Sequence, residues 1–262
     1  MTNVSAGAPL AGRTVVVTRP AAQAENLCRL LEAAGASAFR FPLLEIVPVV
    51  DPAAFAALAA RLDEFDFAFF VSPNAVEHGL AGLRAARPSW PSKLRVATVG
   101  AGSARALRAH GFAEVVAPEE GGDSEAVLAL AEFSPAAIRG RRVLIVRGDG
   151  GRELFGETLV TRGASIEALS CYHRRCPATD PAPLLDLAAN GHADALSITS
   201  SEAVDNLARI VGAERIGQLA ALPVFAPHPR IAARCRLHGL ERIIATAAGD
   251  DALLRALTAY FG

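Results

Sequence analysis

Residues 13–134 and 141–262 repeat one another at a single offset. Ser200-Ser-Glu-Ala-Val204 follows Ser72-Pro-Asn-Ala-Val76 by 200 − 72 = 128 residues. The same 128 separates His238-Gly239 from His110-Gly111, Gly163 from Gly35, Arg147 from Arg19, Asp251 from Asp123 and Phe261 from Phe133. These identities fall at turns, strand ends and helix starts, where backbone geometry restricts the choice of residue. A fixed period of this kind marks a duplicated supersecondary unit, so the chain is expected to build one architecture twice.

Within each copy, short apolar runs alternate with helical stretches. Thr14-Val-Val-Val-Thr18, Phe67-Ala-Phe-Phe-Val71, Leu94–Val99, Glu114-Val-Val-Ala117 and Arg142-Val-Leu-Ile-Val146 read as buried strands. Helices are expected from Pro20 to Gly35, over Ala53–Leu62, from Ser72, from Gly100-Ala-Gly-Ser103 to His110, from Asp123-Ser124 to Phe133, and from the Arg147–Arg152 turn to Gly163. Phe39–Val50 is extended but carries Pro42 and Pro48, unlike a central strand. Strands alternating with helices of this length give the α/β class with parallel sheets, here as two similar lobes.

Composition removes several kinds of chemistry. With 52% hydrophobic and 20% charged residues the chain can bury a sizeable core, and a net charge of −1 points to neither nucleic acid nor an anionic membrane. No apolar run reaches the roughly 18 residues that a membrane helix needs. The first twelve residues carry no basic segment followed by an apolar one, so a soluble cytoplasmic protein is expected. Lys93 is the only lysine, in the polar loop Pro88-Ser-Trp-Pro-Ser-Lys93, which disfavours Schiff-base chemistry, and no GxxxxGK[ST] phosphate loop is present. Cys28, Cys171, Cys176 and Cys235 show no metal-ligand spacing and read as reduced thiols. Gly100-Ala-Gly-Ser103 is half of a dinucleotide fingerprint whose third glycine position is Arg105.

In parallel α/β sheets ligands bind beyond the carboxyl ends of the strands. Here those ends bear Arg19, Ser72, Ser103, Arg147, Arg152, Ser200, His228 and Arg230, each next to an expected helix start. Helix N-termini offer free N–H groups and partial positive charge, so rims of hydroxyls and arginines suit a ligand with several anionic groups. Serine is also an ordinary helix-capping residue, and that reading applies to each site taken singly. Leu169-Ser-Cys-Tyr-His-Arg-Arg175 lies between two α/β runs and contains Tyr172, one of only two tyrosines. The other, Tyr260, falls in the C-terminal helix.

The ordered set Val15-Val-Val-Thr-Arg-Pro20, Phe70-Val-Ser-Pro-Asn-Ala-Val76, Thr98-Val-Gly-Ala-Gly-Ser-Ala104, Val143-Leu-Ile-Val-Arg-Gly148 with Gly151-Arg152, Cys171-Tyr-His-Arg174, Ile198-Thr-Ser-Ser201 and His228-Pro-Arg-Ile231 resembles the uroporphyrinogen-III synthase family, from about Gly12 to the end. The resemblance implies two α/β lobes, one discontinuous over 1–39 plus 176–262 and the other over 48–167, with linker strands at 40–47 and 168–175. It further implies a cofactor-free, metal-free lyase acting on hydroxymethylbilane, a linear tetrapyrrole with eight carboxylates. Such an enzyme closes the ring with loss of water and inverts ring D through a spiro intermediate. The family's tyrosine maps onto Tyr172, and its hydroxyl residue after the Val-Gly turn, commonly threonine, maps onto Ser103. A phenol on the return linker, between the lobes, could face the cleft and donate a proton to the departing hydroxide. A tyrosine packing its ring against one lobe is the plainer alternative.

Two other functions fit parts of this pattern. One is a two-lobed protein that binds a tetrapyrrole or other polyanion without turnover. The other is a nucleotide-sugar transferase, which the missing phosphate signatures disfavour. A monomer is the default expectation for the oligomeric state.

Overall fold

The structure is a computed structural model and describes residues 8–150 and 153–262. It divides into two units, Met1–Glu45 with Arg175–Gly262, and Ile46–Arg174. The chain passes between them at 45/46 and 174/175.

The first unit opens with β1 (Thr14–Val17), α1 (Ala21–Ala33) and β2 (Ser37–Arg40). The second unit follows with β3 (Glu45–Pro48), α2 (Pro52–Ala59), β4 (Phe67–Phe70), α3 (Pro73–Ala86), β5 (Arg95–Thr98), α4 (Ala101–Ala109) and β6 (Val115–Val116). It continues through α5 (Ser124–Leu128), α6 (Pro135–Ile138), β7 (Arg142–Gly148), α7 (Leu154–Thr161) and β8 (Ser165–Arg175). The chain then completes the first unit with α8 (Ala182–Ala189), β9 (Ala195–Ser197), α9 (Ser201–Val211), β10 (Val224–Ala226), α10 (Pro229–Leu237), β11 (Ile243–Ala245) and α11 (Asp250–Phe261).

The strands form a five-stranded sheet, β11-β10-β9-β1-β2, and a six-stranded sheet, β3-β8-β7-β4-β5-β6. Pairing is parallel throughout the first and from β8 to β6 in the second, in line with the helical crossovers. The 128-residue offset holds in the registers themselves. Thr14 pairs with Ser37 and Arg142 with Ser165; Val15 pairs with Ala195 and Val143 with Phe67. Leu196 pairs with Val224 and Ala68 with Val96; Val224 pairs with Ile243 and Val96 with Val115. The sequence copies and the sheets do not coincide, however. Each sheet combines two strands from one copy with the rest from the other: β1 and β2 join β9, β10 and β11, and β7 and β8 join β3, β4, β5 and β6.

Both faces of each sheet are covered, so the strands read as continuous apolar runs rather than alternating ones. In the second unit, Ala68, Phe70, Leu144 and Val146 pack with residues of α2, α3 and α4, while Phe67, Phe69, Val143 and Ile145 pack with Phe155 and Leu159 of α7 and with Val127 of α5. In the first unit Val15 and Val17 face α1 and α11, and Val16 faces the opposite core, which holds residues of α8, α9 and α10. One expected helix is shorter than its sequence pattern. The Asp123 side chain does cap α5, its Oδ1 accepting the Ala126 N–H at 2.9 Å, but the helix stops at Leu128 rather than Phe133. Leu130 is extended (φ −67°, ψ 145°), a short 3-10 turn buries Phe133, and Pro135 starts α6. Burying Phe133 against Phe67 and Phe69 outweighs local helix propensity.

Candidate functional site

The site builds on two adjacent inner strands of the second unit, β7 and β8. They pair in steady register from Arg142↔Ser165 to Arg147↔Ser170, and then Gly148 pairs with Tyr172, leaving Cys171 as a bulge. A bulge inserts one residue and resets which face the following side chains reach. Ile166 packs on the α7 side, whereas Leu169, Cys171 and Tyr172 all enter the core on the α3 side. Without the bulge, strict alternation would send Tyr172 to the α7 side. Gly148 makes room for the redirected ring: a Cβ there would lie 2.5 Å from Tyr172 Cε2. On α3, a Cβ at Gly79 would lie 2.3 Å from Val146 Cγ1, so the absence of a side chain lets this helix approach β7 closely.

Tyr172 is fully buried, at 0% exposure. Its hydroxyl lies 3.0 Å from Ser72 Oγ, and the Arg174 Nη2 donates to it at 3.5 Å. The Arg174 guanidinium carbon sits 5.9 Å from the ring centroid, and the His78 ring centroid is also 5.9 Å from it. Ser72 ends the β4 segment and caps α3, with Oγ accepting the Ala75 N–H at 3.1 Å. At the end of β7, Asp149 accepts from the Arg174 N–H at 2.8 Å and lies 3.0 Å from His173 Nδ1. Partial burial opposes ionisation of Asp149, but the Arg174 N–H and His173 outweigh it and hold the carboxyl below its usual range. Burial pushes the Cys171 thiol up to about 12, so it stays protonated; it donates to the Arg147 carbonyl at 3.2 Å.

Of the residues singled out in the sequence, Ser72 and Tyr172 are brought into direct contact. Arg147 is next to Gly148 on β7, but its guanidinium is engaged by Glu153 at 2.9 Å and by the Gly150 carbonyl at 2.6 Å. The hydrogen bond and charge of Arg147 hold the Glu153 carboxyl low. Ser103 is buried in the first turn of α4. Arg152 lies outside the described residues. Arg19, Ser200, His228 and Arg230 belong to the other unit. There Arg19 pairs with Asp250, Ser200 caps α9 by accepting the Ala203 N–H at 3.1 Å, and His228 Nδ1 accepts the Arg230 N–H at 3.0 Å. Ser72, Ser200 and His228 are therefore helix caps as well as rim residues.

Sequence reasoning missed Arg174, Asp149 and His78 and did not see why Gly148 must be glycine. The proximity of Arg174 to Tyr172 in the chain was the one available signal, since residues two apart on a strand share a face. An open groove lined by Arg84, Trp90, Arg95 and Phe112 flanks edge strand β6, and neither Ser72 nor Tyr172 lines it.

The family model described as "Uroporphyrinogen-III synthase HemD" matches residues 25–255. The chain is 34% identical over 246 residues to a uroporphyrinogen-III synthase of Salmonella typhimurium, covering 93% of this chain and 99% of that one. It is 32% identical over 246 residues to the Escherichia coli protein of the same name, with the same coverage. A solved structure of a mutant uroporphyrinogen III synthase from the extremely thermophilic bacterium Thermus thermophilus aligns with a TM-score of 0.60 at 18% identity, covering 94% of this chain and 99% of that one. That likeness supports the fold alone.

Proposed function

Because this chain belongs to the uroporphyrinogen-III synthase family, we propose that it converts hydroxymethylbilane to uroporphyrinogen III, with loss of water and inversion of ring D. The observation that carries this reading is a family match running through both units, with the tyrosine that the sequence singles out held against a second hydroxyl. The balance of the reaction calls for no redox partner, since a linear bilane becomes a cyclic tetrapyrrole plus water. It calls for a proton at the departing hydroxide and for a template that holds a folded, polyanionic chain.

In this reading Tyr172 is the proton source. Arg152 and Arg230, Arg147 and Arg19 in exchange for their Glu153 and Asp250 partners, the capped helix starts at Ser72, Ser200 and His228, and the first turn of α4 at Ser103 receive carboxylates, for which arginine and backbone N–H groups are suited donors. The two lobes are the substrate-holding domains. We place the enzyme in the cytoplasm as a monomer; no helix among the described residues is long and apolar enough to cross a membrane.

The test is product identity. Purified protein mixed with hydroxymethylbilane should give the isomer with ring D inverted; closure without inversion gives the other isomer. A chain that binds the bilane but leaves the isomer ratio of the uncatalysed reaction would be a carrier, not a synthase.

A further inference from the structure

Tyr172 has no exposed surface, yet the proposed reaction needs a proton at a substrate oxygen. Ser72, to which it is hydrogen-bonded, is only half-buried. The direction of that bond follows from donor and acceptor capacity. Arginine has donors only, so the 3.5 Å contact from Arg174 uses the phenol oxygen as acceptor. A buried hydroxyl proton left without an acceptor is costly, and among the described residues Ser72 Oγ is the acceptor in reach of it at 3.0 Å. A serine hydroxyl accepts twice and donates once. With the Ala75 N–H on one lone pair and the Tyr172 O–H on the other, the proton of Ser72 is left for a third partner.

We propose that Ser72 is the catalytic residue that hands the proton to the departing hydroxide, and that Tyr172 resupplies it from behind. The inference rests on the functional reading above. In the step, the C–O bond of the hydroxymethyl group breaks and its electron pair leaves with oxygen. That oxygen takes the Ser72 proton and becomes water, while Ser72 Oγ takes the phenol proton of Tyr172. The bilane is left as a cationic methylene-pyrrole, and Tyr172 as a phenolate facing the Arg174 guanidinium. Ring closure releases one proton as the last pyrrole regains neutrality. That proton returns through Ser72 to Tyr172, so the enzyme ends as it began.

A serine that only caps α3 makes a different prediction, and four variants of the full chain separate the two. Ser72→Asn keeps a capping acceptor for the Ala75 N–H but has no hydroxyl to pass a proton. Ser72→Thr keeps the hydroxyl, Tyr172→Phe removes the phenol oxygen, and the fourth variant combines Ser72→Asn with Tyr172→Phe. Turnover of hydroxymethylbilane should fall at least about 10²-fold in Ser72→Asn and in Tyr172→Phe, the range a positioned general acid contributes. The double variant should be no slower than the worse single one, because both remove one proton path. Ser72→Thr should stay within about tenfold of the parent.

Solvent isotope effects give a readout that capping alone would not move. The parent rate in mixed light and heavy water should show two protons in flight, and the Tyr172→Phe rate should not. Near-parental turnover in Ser72→Asn alongside a large loss in Tyr172→Phe would overturn the relay and leave Tyr172 as the direct donor. Multiplying losses in the double variant would also overturn it. If Ser72→Asn does not fold, a single-proton inventory in the parent is the overturning result. A parent that makes no uroporphyrinogen III fails at the earlier step, before any variant is compared.

Discussion

The two sheets share one set of registers, yet only one carries a buried phenol. At the 128-residue offset Ser72 corresponds to Ser200, and both cap their helices in the same way. Tyr172 corresponds to Leu44, Gly148 to Pro20 and Ser103 to Ile231. β1 and β2 are four residues each, while β7 and β8 are seven and eleven, and the extra length holds the bulge. Position 206, the counterpart of His78, is a buried asparagine whose Nδ2 donates to the Leu43 carbonyl at 2.8 Å, just past the end of β2. In one unit that position fixes the chain where it leaves the sheet. In the other it stands beside the Tyr172 ring. Identical pairing thus supports different uses, and the difference lies where one copy runs on and kinks.

Breaking the ring's seat should have the largest effect of the tests that follow. In Gly148→Ala the new Cβ would meet the Tyr172 ring at 2.5 Å, and a fully buried ring cannot move without shifting its hydroxyl from Ser72. Overpacking of this kind costs about 1–3 kcal/mol. The expected outcome is a lower denaturation midpoint with unchanged m-value, and turnover reduced at least about tenfold in the folded fraction, a barrier change of about 1.4 kcal/mol. Parental turnover in a destabilised Gly148→Ala protein would mean that the seat matters to packing alone.

The repeat was legible because it is written in turns and helix starts, residues whose identity depends on local backbone geometry. The assignment of strands to sheets was not legible from it. An offset of 128 is the same whether β1 and β2 join their own copy or the other, and pairing of β1 with β9 depends on contacts across the whole chain. The bulge was hidden as well. Ser170-Cys-Tyr contains no glycine to announce it, and Tyr172 reads as a linker residue until the register shift turns it into the core. Arg147 read as an anion-binding arginine, and its Glu153 partner sits six residues on, at the N-cap of α7. The composition that disfavoured nucleotide and Schiff-base chemistry needed no structure at all.

The matched caps sharpen the comparison at a smaller scale. Ser200→Ala and Ser72→Ala each remove the acceptor of one helix-start N–H, worth about 1 kcal/mol. Ser72→Ala also strips the Tyr172 proton of its acceptor, which adds the cost of an unsatisfied buried hydroxyl. Chemical denaturation of the two variants should therefore show the larger loss for Ser72→Ala. Equal losses would indicate that the phenol proton finds another acceptor.

The smallest expected effect concerns Asp149, whose offset counterpart is Ala21, so the first unit has no acidic group at that position. Despite its partial burial, the Asp149 carboxyl is held below the usual range by the Arg174 N–H and by His173. A carboxyl whose folded pKa is depressed binds fewer protons in the folded state than in the unfolded one. Its stabilisation is therefore full above the ordinary carboxylate pKa of about 4 and disappears as pH falls through the depressed value. The Asp149 side chain is 44% exposed, so solvent screening limits the charge contribution to about a few tenths of a kcal/mol. Asp149→Asn keeps an acceptor for the Arg174 N–H and removes only the charge. The stability gap between parent and Asp149→Asn, measured by denaturation at pH 7, 5 and 3, should be positive at the first two and smaller at the third. A gap unchanged at pH 3 would assign the role of Asp149 to its hydrogen bond with the backbone of β8, leaving its charge without effect on this end of the strand.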